Sequence, residues 1–177
     1  MVRPIFLEKA PNGDGVPSAT PRELAQAIED CITAGAHVIN LSAALRGASV
    51  AGDAELTRAL TAAAQRGVIV VAASGNDSLL TGSAITRYPW VIPVVAYGPN
   101  GQPMGLSNLG ASIGRTGLGA PGHNIASLGT QGKAVSFGGT SAATPFVTGT
   151  IALLRSEFPS ASIQMIRLAG CLTVLGE

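Results

Sequence analysis

Ser141 and Asn76 are the side chains with the strongest case for chemistry. Ser141 stands in Gly139-Thr140-Ser141-Ala142-Ala143-Thr144-Pro145, where a glycine-rich turn, Phe137-Gly138-Gly139, enters a helical pattern. A serine there lies on a tight turn at a helix amino terminus, whose free amides and partial positive charge favour an oxyanion developing beside the hydroxyl. A nucleophile gains from that location. The same residues would also suit a serine that merely caps a core helix. Asn76 follows the apolar run Val68 to Ala73 through Ser74-Gly75. A neutral amide donor fixed at the carboxyl end of a strand can stabilise developing negative charge without competing as an acid. Gly-Asn after a strand is equally ordinary turn chemistry.

The remaining ionisable candidates supply no base or acid to complete this pair. His37 opens a β-prone run and His123 follows the turn Ala120-Pro121-Gly122, so both read as strand-end or loop residues. Asp14, within Asn12-Gly13-Asp14-Gly15, fits a turn better than a catalytic acid. Asp30 belongs to the solvated face of a helical pattern and Asp53 reads as a helix cap. The two cysteines, Cys31 and Cys171, have no metal-like spacing and read as small buried hydrophobes.

Elements that would position Ser141 and Asn76 are visible along the chain. Its 177 residues suit one domain with a real core, and 46% apolar against 12% charged residues excludes the disordered class. Eleven basic and ten acidic residues leave a formal charge of +1, which gives no electrostatic reason to expect nucleic acid or a membrane surface as partner. No run is long enough to cross a bilayer, and Met1-Val2-Arg3-Pro4 does not open a signal-peptide pattern. Pro4 to Leu7 suits the end of a strand, and Pro11 to Ala19 a loop. Thr20-Pro21-Arg22-Glu23 predicts a capped helix with Leu24, Ile28, Cys31 and Ile32 on one face and Gly35 as terminator. A strand over His37 to Ser42 and a helix from Asp53 to Gly67, with Leu56, Leu60 and Ala63 or Ala64 inward, come next. Val68 to Ala73, uniformly apolar and β-branched, predicts a strand covered on both faces of a parallel sheet. Val91 to Tyr97 is similar, but Pro93 suggests a strand nearer an edge. Pro99 to Lys133 suits short strands and turns. Helices are predicted over about Ser141 to Phe158, with Gly149 allowing close packing, and about Ser162 to Ala169. This alternation argues for an α/β fold.

The stretch Gly139 to Gly149 resembles the nucleophile signature of the subtilisin-like serine proteases, Gly-Thr-Ser-x-Ala-x-Pro followed by Val-x-Gly. Its first five fixed positions match by chance in roughly one window in a million. Ala142 stands where the family often has methionine. Val71 to Asp77 resembles the family's strand-then-Gly-Asn segment, whose asparagine completes the oxyanion hole. Val38-Ile39-Asn40-Leu41-Ser42 resembles the strand whose continuation through Ser42, Ala43 and Ala44 forms a rail for substrate backbone. Tyr88-Pro89 with Val91-Ile92-Pro93-Val94, and Gly119-Ala120-Pro121-Gly122, resemble two further family segments in the same order. Arg3-Pro4-Ile5-Phe6 and the helix over Glu23 to Gly35 resemble the cyanobactin-maturation members.

The resemblance implies a three-layer α/β domain around a mainly parallel sheet, with 1–177 forming one partial peptidase domain whose amino-terminal strands are missing. It implies a serine endopeptidase in which Ser141 is the nucleophile and Asn76 the oxyanion donor. Ser42, Ala43, Ala44, Ala73, Ser74 and Gly75 would bind substrate, and the small residues at Ser42, Ala43, Ala44 and Ala73 suggest an open primary pocket. The family's Asp and His lie before the rail strand, and no matching motif precedes Val38. Neither His37 nor His123 occupies a position where the family places its base. The chain alone is therefore expected to be inactive, to expose an apolar strand edge, and to need the missing segment as a partner besides its peptide substrate. A peptide-binding module without catalysis, and a fragment without independent function, are the alternatives. The chemistry calls on no cofactor, structural calcium stays open, and family members are often secreted.

Overall fold

The computed structural model describes residues 19–43, 53–129 and 132–174. Helix α1, Pro21–Thr33, starts at a complete capping box: Thr20 Oγ1 accepts the Glu23 N–H at 3.2 Å, and the Thr20 N–H donates to the Glu23 carboxylate at 2.7 Å. That backbone bond, then the bond from the Thr20 hydroxyl, hold the Glu23 carboxyl below its ordinary range. Leu24, Ile28 and Ile32 are buried, Cys31 half-buried, and Gly35 ends the helix in a left-handed conformation. Strand β1, Val38–Leu41, precedes helix α2, Asp53–Gln65. The helix already includes Asp53, so the capping position lies outside the described residues.

Strands β2, Ile69–Ala73, β3, Val91–Tyr97, and β4, Leu118–Pro121, join β1 in a parallel sheet of order β1-β2-β3-β4. Side-chain alternation divides the core in two. Val70, Ala72 and Val91 meet Leu24, Ile28, Leu56 and Leu60 of α1 and α2 on one face. Ile69, Val71, Ile92 and Val94 meet Ala143, Val147 and Ile151 on the other, where helix α4, Thr140–Glu157, lies with α5, Ile163–Val174. Each fully buried Leu, Ile or Val contributes roughly 1.5–3 kcal/mol. The arrangement is the α/β fold with a parallel sheet that the alternation of elements predicted, in the three layers that the family resemblance implied.

Two expectations fail for physical reasons. Strand β3 is internal, between β2 and β4, despite Pro93. The Val94 carbonyl accepts from the Ser74 N–H, so the polar groups of Val94 face β2 and those of Pro93 face the other side. On that side the β4 ladder begins only at Val94 opposite Leu118, so no ladder bond is lost at Pro93. Gly149 lies exposed, and a Cβ there would meet nothing within 4 Å, so it mediates no close packing among the described residues. The 99–133 stretch also contains a short helix, α3, Ala111–Thr116, that its composition did not announce. Strands β5, Ile125–Leu128, and β6, Ala134–Phe137, form an antiparallel ribbon leading into α4. The first strand segment predicted, Pro4 to Leu7, and the loop after it fall almost wholly outside the described residues, as do Asp14 and the Arg3-Pro4-Ile5-Phe6 segment.

Candidate active site

Ser141 is the second residue of α4, half-buried, and the turn before it is tightly constrained. Gly139 adopts φ 86°, a left-handed conformation, and a Cβ there would lie 2.8 Å from Asn76 Oδ1. The Gly139 N–H donates to the Gly122 carbonyl at 2.8 Å, and the Gly122 N–H to the Tyr97 carbonyl at 3.0 Å. A Cβ on Gly122 would lie 2.9 Å from the Gly139 carbonyl oxygen. The Ala-Pro-Gly turn thus pins the turn before Ser141 against the carboxyl end of β3.

The amides of the first turn of α4 are almost all taken. The Thr140 N–H donates to Asn76 Oδ1 at 2.9 Å, while Ala142 and Ala143 donate to the Gly139 carbonyl at 3.1 and 3.2 Å. The Ser141 amide alone in that turn makes no hydrogen bond among the described residues. Asn76 Oδ1 accepts a second bond, from Thr140 Oγ1 at 2.9 Å, and that hydroxyl in turn accepts the Gly75 N–H at 3.3 Å. An oxygen that accepts twice fixes which way the amide faces. Nδ2 is left as a donor without an acceptor among the described residues, on an exposed side chain. Thr140, completely buried, is the clamp that joins the β2 end to the amino terminus of α4. Two donors, the Ser141 amide and Asn76 Nδ2, are therefore left without an acceptor among the described residues at one helix terminus, a setting that can stabilise an oxyanion.

Ser42 is brought to the same helix. Its hydroxyl donates to the Ser141 carbonyl at 3.0 Å and accepts from Asn40 Nδ2 at 2.8 Å, and Asn40 Oδ1 accepts from Thr148 at 2.8 Å. The carboxyl end of β1 is thereby fastened along α4, with Ser42 exposed and Ala43 half-buried. Ala44 lies outside the described residues. Ala73, at 1% exposure, and Ser74, at 0%, are buried. The Ser74 N–H is used by Val94, and both polar groups of buried Gly75 are engaged, its carbonyl by the Asn108 N–H at 3.0 Å. These residues hold the loop. Of the small residues expected to open a pocket, Ala73 is buried, Ser42 exposed and Ala43 half-buried.

Ser141 Oγ makes no hydrogen bond among the described residues, and neither His37 nor His123 contacts it by one. His37 is exposed beside β1, and His123 Nε2 accepts from the side-chain amide of its neighbour Asn124 at 3.1 Å. Asp30 pairs with Gln26 on α1. Surface depressions of about 200 and 450 Å³ surround Tyr97 and Gly119, and neither is lined by Ser141 or Asn76. No group of three or more His, Cys, Asp or Glu side chains able to hold a metal occurs among the described residues. Sequence reasoning missed the roles of Thr140 and Asn108. The first was inside the quoted motif; the second had a signal only in being a polar pair, Ser107-Asn108, between Leu106 and Leu109.

Comparison with known proteins places the chain in a family and a fold. The sequence pattern of the subtilase family matches residues 9–172. Subtilisin Savinase of Lederbergia lenta is 37% identical over 162 residues, covering 90% of this chain and 58% of that protein. The thermostable alkaline protease of Halalkalibacterium halodurans is 36% identical over 150 residues, covering 85% and 40% respectively. Among solved structures, the prenylagaramide maturation protease PagA superposes with a TM-score of 0.76 at 33% identity, covering 81% of this chain and 52% of its own. The PatG macrocyclase in complex with peptide superposes with a TM-score of 0.76 at 27% identity, covering 85% and 47%. The chain thus spans about half the length of the relatives it matches.

Proposed function

Because the chain belongs to the subtilase family, we propose that it carries the nucleophilic half of a serine endopeptidase site, with the general base and its orienting acid supplied by a further segment of the same domain. The observation that carries the reading is the pair of free donors, Asn76 Nδ2 and the Ser141 amide, at the terminus that bears the Ser141 hydroxyl. In the reaction, Ser141 Oγ attacks the scissile carbonyl of an extended peptide and its proton passes to the base. The carbonyl oxygen, now an anion, takes both donors. Collapse expels the amine, which receives the proton, and leaves an acyl-serine for water to hydrolyse. The preset orientation of the Asn76 amide lowers the barrier because no donor has to reorganise as charge develops. Side chains and backbone amides do this work without a cofactor.

The uncovered surface supports a complementing segment. On α4, Phe146 is 46% and Leu153 73% exposed, and the ribbon presents Leu128 at 74% and Phe137 at 50%. Strand β1 lies at the edge of the described sheet, where another strand could be added. A segment that covered this apolar face would bring an imidazole and a carboxylate to Ser141. The substrate is a peptide or protein, consistent with the peptide bound by the PatG neighbour. Labelling by a fluorophosphonate probe tests the proposal. The chain alone should label at background rate and show no steady peptide-ester turnover. Mixed with the Asp/His-bearing segment of its domain, it should label at Ser141 and nowhere else. Labelling at another residue, or turnover by the isolated chain that Ser141→Ala abolishes, would overturn the division of the site.

A further inference from the structure

Asn76 is exposed, and it belongs to a stretch after β2, residues 75–79, that forms neither helix nor strand. A donor on such a stretch stabilises a transition state only if its backbone is held still, since a displacement of about 1 Å is enough to lose most of the effect. The Thr140 clamp fixes the direction of the Asn76 amide but leaves the backbone on the far side of Asn76 unsecured.

Asn108 secures it. This residue is 5% exposed, sits outside any strand or helix, and lies far along the chain from Asn76. Its backbone N–H donates to the Gly75 carbonyl at 3.0 Å. Its side-chain Oδ1 accepts two amides, from Asp77 at 3.1 Å and from Leu79 at 2.9 Å. Both chain neighbours of Asn76 are thus bonded to one residue, one through its main chain and the other through its side chain. Between the two converging amides, Ser78 adopts φ 56°, a left-handed conformation that a serine seldom takes. A left-handed residue between them lets the N–H groups of Asp77 and Leu79 turn toward one point, where an oxygen is needed to hold them. The flanking bonds, Ser78 N–H to the Leu106 carbonyl at 2.9 Å and Leu109 N–H to the Leu79 carbonyl at 2.8 Å, fasten the same two stretches together.

We propose that Asn108 is a positioning residue for Asn76: its buried amide oxygen gathers the Asp77 and Leu79 amides and so holds the backbone from which the Asn76 donor projects. The proposal deepens the reading of Asn76 as oxyanion donor and rests on it for its functional consequence. What the position requires is an acceptor of asparagine's length. Aspartate keeps that acceptor and shape, whereas alanine removes it and releases two amides that can reach water by loosening the loop.

Spectroscopy on the full chain tests the positioning without catalysis. In ¹⁵N–¹H spectra, Asn108→Ala should move the Asn76 side-chain amide signals toward those of a free amide. It should also speed hydrogen exchange at Asp77 and Leu79 by tenfold or more. Asn108→Asp should restore slow exchange at both. Asn108→Ser, too short to reach both amides, should behave like alanine and serves if the alanine variant does not fold. Unchanged Asn76 signals, with exchange at Asp77 and Leu79 within twofold of wild type in a folded variant, would overturn the proposal. In the enzyme assembled with its complementing segment, Asn108→Ala should lower kcat about tenfold or more with KM within twofold, and Asn108→Asp should recover most of it. A residue that only stabilised the fold would change the melting temperature without that split. If Asn76→Ala leaves kcat unchanged while the spectra respond as expected, the oxyanion reading fails and the positioning stands. If Asn76→Ala lowers kcat and Asn108→Ala does not, the positioning fails alone.

Discussion

The two ends of the Asn76 amide have separable roles, and one pair of substitutions tells them apart. Oδ1 accepts the Thr140 N–H and the Thr140 hydroxyl, both at 2.9 Å, and Thr140 is wholly buried. Nδ2 is the candidate oxyanion donor. Asn76→Ala removes both ends. It leaves a buried hydroxyl and the first amide of α4 without their acceptor, at a cost of about 1–3 kcal/mol. For a chain of this size that is a fall in melting temperature of roughly 2–12 °C. Asn76→Asp keeps an acceptor at Oδ1 and places a negative charge at a helix amino terminus, an interaction worth about 0.3–1 kcal/mol in its favour. It should therefore unfold at or slightly above the wild-type midpoint. The carboxylate, however, has no hydrogen to donate and repels an oxyanion.

Urea unfolding of the three chains gives the stability half of this comparison, and steady-state kinetics of the assembled enzyme gives the other. Both variants should lose about 10²–10³ in kcat, equivalent to about 2.7–4 kcal/mol of transition-state stabilisation, with KM nearly unchanged. Only Asn76→Ala should lose stability. Equal destabilisation by Ala and Asp would show that Oδ1 is not the anchor. An aspartate variant with undiminished kcat would remove Nδ2 from the mechanism.

Ser141→Ala should abolish fluorophosphonate labelling of the assembled enzyme and shift the unfolding midpoint little, because its hydroxyl has no hydrogen-bond partner among the described residues; a large loss of stability would make Ser141 a structural cap. Gly122→Ala should destabilise by about 1–3 kcal/mol, since a Cβ would lie about 2.5 Å from the Ala96 Cβ and 2.9 Å from the Gly139 carbonyl, and a wild-type melting curve would refute the close approach. Glu23 has a lowered folded-state pKa, so its contribution to α1 is complete above its ordinary value of 4.5 and is lost as pH falls through the lowered value. The stability difference between wild type and Glu23→Ala should follow that course in acid titrations, and a difference independent of pH would show that the capping box does not form.

Much of the frame was readable because its signals are local. The Thr20 to Glu23 box, the left-handed glycines after α1 and α2, and the uninterrupted β-branched run of β2 are each decided by residues a few positions apart. The same holds for Ser141, since a glycine-rich turn before an apolar helical pattern places a serine at the helix start whatever lies around it. Pro93 misled because a proline's missing donor matters only on the side where a ladder bond would form. Which side that is depends on where β4 begins.

The sequence by itself determined the α/β alternation, the serine at a helix amino terminus and the asparagine at a strand's end. Only the tertiary structure decided how that asparagine is aimed, that Ala73 and Ser74 are buried, and that Asn108 holds the loop. These rest on hydrogen bonds between residues such as Thr140 and Asn76, 64 positions apart, or Asp77 and Asn108, 31 apart. Bonds of that separation impose no periodicity on the chain. A side chain's acceptor is chosen by which backbone folding brings within about 3 Å of it, and that is settled only when the sheet and α4 have packed.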